Sequence, residues 1–171
     1  MKLRALALPV AALGVFLLTA DTCNVSGGTP AGSIPTPGGT ITVAVGRPMT
    51  DTNGESMTVA AFKASPVDPN GFETLPPGRQ CVAITVTIKN GSSSEWIFPL
   101  SEVSVVDSTG QKCDALDVNS GACHSSDSID SLVAGGHGTG TVYYAVPKAG
   151  ALDVNWTPSD FSGQVFQTAV G

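Results

Sequence analysis

Charge is scarce in this 171-residue chain, at 13% of residues, and only 8 of them are Lys or Arg against 14 Asp and Glu. Two of the basic residues, Lys2 and Arg4, lie in an N-terminal segment that reads as removable. What remains would repel phosphate backbones and anionic lipid surfaces, which counts against nucleic-acid binding. No second apolar run comparable to the first twenty residues follows, and no 3.6-residue period persists over three turns. Only two histidines, His124 and His137, are available as catalytic bases, and no Gly-x-Ser-x-Gly elbow occurs. A small hydrolase therefore has little footing, and the chain reads as non-enzymatic.

What is present organises into three parts. Residues 1 to 20 combine a positive start with the uncharged apolar run Ala5 to Ala20. That run is shorter than the ~20 residues needed to cross a bilayer, so it predicts an export signal cut after Ala20. Cys23 offers the alternative of lipidation, although Asp21 and Thr22 depart from the usual lipoprotein signal. Residues 21 to 39 are rich in Gly, Pro, Ser and Thr and predict a flexible tether.

From residue 40 to 171, short alternating runs separated by turn residues predict one all-β domain, a two-sheet sandwich of seven to nine strands. Ile41, Val43 and Val45 share one face of a first strand, and Met57 with Val59 follows the turn Asp51 to Gly54. In the third strand Val82, Ile84, Val86 and Ile88 fall on one face, with Cys81 among the small residues of the other. Val103 and Val105, then Val142, Tyr144 and Val146, then Leu152, Val154 and Trp156, and last Val165 with Phe166, mark the later strands. Gln111 to Ala115 form a hairpin arm, and residues 116 to 138 form a long loop.

Three segments in order carry a resemblance: Gly78-Arg79-Gln80-Cys81 through Lys89-Asn90, Val103-Ser104-Val105-Val106-Asp107-Ser108-Thr109-Gly110-Gln111, and Leu132-Val133-Ala134-Gly135-Gly136 leading to Gly140 through Pro147. Over about residues 40 to 168 the chain resembles the domain of unknown function 4352. The resemblance implies a telokin-like, immunoglobulin-like sandwich of exported bacterial proteins and lipoproteins, related in fold to a secreted immunoprotective actinobacterial antigen. It implies no catalytic residues, because that family has none agreed.

Other candidate chemistry is thin. Asp114, Asp117, Asn119, Asp127 and Asp130 supply hard oxygen ligands for calcium, yet from Asp117 the fifth and twelfth EF-hand positions hold Gly121 and Ser128. His124, His137, Met49 and Met57 are the soft ligands for copper or zinc, without chelating spacing. Gly136-His137-Gly138-Thr139-Gly140 leads into a strand instead of a helix, so it reads as a flexible turn and not a phosphate cradle. Trp96, Phe98 and Trp156 form either a binding face or core, with Trp96 capping a sheet end.

After export all four cysteines meet an oxidising environment. Cys113 and Cys123 are expected to pair across their short loop, leaving Cys81 and Cys23 to join unless Cys23 is lipidated. The expectation for function is a non-catalytic extracytoplasmic module that binds or displays something at the bacterial surface, with no cofactor and no metal. Its partner would be a protein or cell-envelope component, and it would meet a membrane only through a lipid on Cys23. The alternatives are a calcium- or copper-binding envelope protein and a structural domain of an exported assembly.

Overall fold

The computed structural model describes residues 38–171 apart from 72, 114–121, 125, 128, 130 and 161. The export signal, most of the tether, Cys23, and the calcium candidates Asp114, Asp117, Asn119 and Asp130 lie outside the described residues.

Among the described residues nine strands follow in chain order: β1 (Thr40–Thr42), β2 (Pro48–Thr50), β3 (Ser56–Ser65), β4 (Arg79–Lys89), β5 (Val103–Asp107), β6 (Lys112–Cys113), β7 (His137–Pro147), β8 (Leu152–Trp156) and β9 (Val165–Val170). A 3-10 turn, Leu100–Glu102, leads into β5. The strands form two sheets, ordered β1-β9-β8-β5-β6 and β2-β3-β4-β7. The protein is an all-β sandwich, and the expected strand count and layering hold.

Alternation explains why these segments are strands. In β4 the branched side chains Val82, Ile84, Val86 and Ile88 are all buried between the sheets, while Ala83, Thr85 and Thr87 on the other face are partly exposed. The β7 residues Val142, Tyr144 and Val146 and the β8 residues Leu152, Val154 and Trp156 complete the core from both sheets. Tyr144 Oη donates to the carbonyl of Val103 at 2.8 Å, a hydrogen bond from one sheet to the other. Burial pushes its hydroxyl pKa well above the ordinary tyrosine value.

β3 contains a bulge between Val59 and Ala61. Before it, Met57 and Val59 face the core; the extra residue Ala60 shifts the phase, so that Phe62, opposite Ile84, also packs against the core. β1 runs parallel to β9, with Thr40 beside Val165 and Thr42 beside Gln167. It is shorter than the alternation suggests: Val43 packs on the core, but Ile41 and Val45 are exposed, because β1 is an edge strand of only three residues.

Three expectations are corrected. Cys123 is bonded to Cys81 and not to Cys113, with a Cα–Cα distance of 5.6 Å across a separation of 42 residues. Nearness in sequence misled here, since the chain carries Cys123 to the outer face of β4, where Cys81 points. Cys113 is disulfide-bonded as well, so its expected partner is wrong while its oxidised state is right. Next, Gly136 to Gly140 is no flexible turn: β7 begins at His137, and Gly138 and Gly140 lie on its inner face. Last, Trp96 does not cap a sheet end. It is buried in the core with its ring edge-on to Phe98 at 5.4 Å, and a two-way backbone bridge joins it to Leu132.

Candidate functional site

Among the described residues, those singled out for metal binding form no common ligand set. Met49 and Met57 face each other across β2 and β3 inside the core. His124 lies 3.7 Å from Asp68 and against the ring of Tyr143, whereas His137 is exposed at the start of β7 opposite Lys89. Asp127 spends its carboxyl on the amide of Thr141 at 2.9 Å. Among the described residues no group of three or more His, Cys, Asp or Glu is placed to hold a metal ion. The aromatic residues Trp96, Phe98 and Trp156 are core and form no binding face.

Among the described residues a concave feature lies elsewhere, where the β2–β3 turn meets the loop after β4. In the turn, Asp51 Oδ1 accepts from the amides of Asn53 and Glu55, both at 2.9 Å, and the Asp51 amide donates to the Glu55 carbonyl. This is the Asx geometry that Asp favours at a turn. Asp160, from the loop before β9, clamps the turn by accepting from Thr52 N at 3.2 Å and Thr52 Oγ1 at 2.8 Å.

Asn90 organises the facing wall. It is fully buried, and its side-chain nitrogen donates to the carbonyls of Ser94 at 2.7 Å and Leu132 at 2.8 Å. Its side-chain oxygen accepts from Ser92 N at 2.9 Å and Ser92 Oγ at 2.7 Å. All four hydrogen-bonding positions of the amide are thereby used, which a buried amide needs to offset its lost hydration. The two walls touch through glycines: a β-carbon on Gly91 would sit 2.1 Å from the Gly54 carbonyl oxygen, and Gly54 itself has a φ of +86°.

Between these walls lies an open cleft of about 450 Å³, bounded by Asn53 and Glu55 on one side and residues 91–95 on the other. Its lining is serine hydroxyls, an amide, glycine and the carboxyls of Glu55 and Glu95. Glu55 is pushed up from 4.5 to about 7, first by burial and then by the charge of Asp51, a hydrogen bond with it, and the charges of Glu102 and Asp160. Asp160 is driven the other way, to about 2: burial alone would raise it, but hydrogen bonds from Ser162 and Thr52 outweigh that.

Chemically this cleft offers acceptors and hydroxyls under a negative potential, and it suits a ligand that brings hydrogen-bond donors and no negative charge. A carboxyl titrating near neutrality can also exchange protons, but no histidine lines the cleft beside its serines. None of these residues stood out in the sequence as a site. Asp51 to Gly54 and Asn90-Gly91 read only as two turns, and their contact arises from tertiary folding.

Comparison with known proteins bears on the fold. A family model described as "Domain of unknown function (DUF4352)" matches residues 43–167. No curated protein matches the chain in sequence. Among solved structures, the YjhA protein of Bacillus subtilis superposes with a TM-score of 0.57 at 13% identity, covering 75% of this chain and 98% of that one. The Bacillus subtilis strain 168 lipoprotein candidate YcdA gives 0.57 at 10% identity and covers 72% of this chain, which spans 38% of that protein. An uncharacterized β-sandwich protein of Clostridium difficile 630 gives 0.50 at 16% identity, covering 76% and 93%. Identities this low show a shared sandwich.

Proposed function

Because the chain belongs to the family described as a domain of unknown function, DUF4352, which accounts for residues 43–167, we propose that it is a non-catalytic extracytoplasmic binding module. On this reading the sandwich is a rigid platform, and the cleft between the β2–β3 turn and the loop after β4 receives part of a cell-envelope component. The observation that carries the reading is the construction of that cleft. Its walls are fixed by Asn90, Asp51 and the Gly54–Gly91 contact, while Glu55, Glu95 and Ser92 to Ser94 give it a polar lining. Pre-organised walls reduce the ordering cost of binding.

Extracytoplasmic location is supported by the signal-like residues 1–20, by the Cys81–Cys123 bond, and by the lipoprotein candidate among the similar folds. Among the described residues no helix is long and apolar enough to cross a membrane. On this reading a lipid on Cys23 is the route by which the domain would be held at a membrane.

The test is a pull-down from intact cell envelope with the exported protein, beside a variant carrying Glu55→Gln and Ser93→Trp to neutralise and fill the cleft. Capture by the wild-type protein and loss in the variant is expected, with both proteins equally folded by circular dichroism. Equal capture by both would remove the cleft from the reading. Turnover of ester or peptide substrates that survives repurification would replace a binding module with an enzyme.

A further inference from the structure

β7 is an eleven-residue edge strand of its sheet, and from Gly138 to Pro147 it carries no charged side chain. An uncharged edge of that length is a template for pairing with another chain. The opposite edge of the sheet is blunted in the usual ways: β2 is short, β3 is bulged at Val59/Ala61, and Lys63 is exposed on it. β7 is blunted differently.

Cys123, Ser126, Asp127 and Ile129 lie against this side of the sheet. On the outer face Cys123 is tied to Cys81 of β4. Along the edge, Asp127 N donates to the Thr141 carbonyl at 2.8 Å, Asp127 Oδ2 accepts from Thr141 N at 2.9 Å, and Ser126 Oγ accepts from Tyr143 N at 2.9 Å. On the inner face Ile129 fills the hollow left by the missing side chain of Gly140, where a β-carbon would lie 2.6 Å from it. Ser126, Asp127 and Ile129 thus cover the edge and inner face of β7, while Cys123 holds the segment to the outer face of the neighbouring β4.

We propose that this segment is a built-in cover, and that the β7 edge beneath it is a strand-pairing surface for a second copy of the same chain. The outward backbone groups of Thr141 and Tyr143 are the ones the cover occupies. Under a two-fold axis at Val142 the same groups of two copies complement each other, Thr141 of one facing Tyr143 of the other in antiparallel pairing. No like charges meet along the line, since residues 138–147 carry none. The sheets would join into one of eight strands.

The test uses the exported full-length protein. Ser126→Ala with Asp127→Pro removes both side-chain acceptors and the Asp127 amide donor from the edge while leaving the disulfide, and Cys81→Ser with Cys123→Ser releases the outer end. Light scattering across a concentration series should find the wild type monomeric and either folded variant shifted to dimer mass. Tyr143→Lys, added to the dimeric variant, should return it to monomer by setting two charges near the axis. A folded, uncovered variant that stays monomeric at all concentrations overturns the proposal, as does a dimer indifferent to Tyr143→Lys. If the cysteine variant fails to fold, the Ser126/Asp127 variant still decides.

Discussion

Trp156 Nε1 donates to Glu102 Oε2 at 2.9 Å inside the core, while the other carboxyl oxygen of Glu102 accepts from both the amide and the hydroxyl of Ser159. The Glu102 backbone carbonyl also accepts from Thr157 N. One acidic side chain therefore anchors the end of β8 and the start of the loop leading to Asp160. Glu102→Ala would leave the indole N–H of a fully buried tryptophan unpaired, and should destabilise the domain by about 2 kcal/mol. Urea denaturation of the two proteins measures it.

Asn90→Ala should cost about 3 kcal/mol, since the carbonyls of Ser94 and Leu132 and the donors of Ser92 all lose a buried partner. The loss should be local as well as global. Amide exchange in residues 91–95 should speed up at temperatures where the core remains protected.

Stability should depend on pH in two windows. Glu55 binds its proton more tightly in the folded state, 4.5 rising to about 7, so the stability it contributes is present below about 4.5 and is lost as pH rises towards 7. Asp160 is depressed from 3.8 to about 2, so its contribution is present above 3.8 and is lost as pH falls towards 2. Melting temperature should therefore decline between pH 5 and 7. Glu55→Gln should flatten that decline and raise the melting temperature at pH 8.

Non-reducing peptide mapping should recover Cys81 linked to Cys123. Closing a loop of 42 residues stabilises the fold by about 4 kcal/mol in the chain-entropy model. Cys113 should also be recovered oxidised. A diacylglyceryl mass on Cys23 would identify a lipoprotein.

The parts of this architecture legible in the sequence are those governed by period two. Val82 to Ile88, Val142 to Val146 and Leu152 to Trp156 alternate without interruption, and each faces the core as the pattern requires. What escaped depends on where separate segments meet. Cys81 was visibly on the outer face of its strand, but nothing local says that residue 123 returns to it. Gly138 and Gly140 read as turn residues because glycine weakens a strand. Their spacing of two was the overlooked signal, for glycines on one face of a strand mark close approach, here by Ile129. The acidic neighbourhood of Glu55 was hidden for a related reason, being assembled from Asp51, Glu102 and Asp160 on three separate segments.

The parallel pairing of β1 with β9 has a mechanical consequence. A pull on the chain before Gly38 drags β1 towards its own start, and an opposing pull at Gly171 drags β9 towards its end. Parallel neighbours drawn in opposite directions slide past each other, so the bonds Gly38 N to Gly163 O, Val165 N to Gly39 O and Val43 N to Gln167 O share the load and do not open one at a time. A domain held by the chain before Gly38 and gripped at β9 would resist extension as a shear clamp, with three residues of β1 setting the force at which it yields.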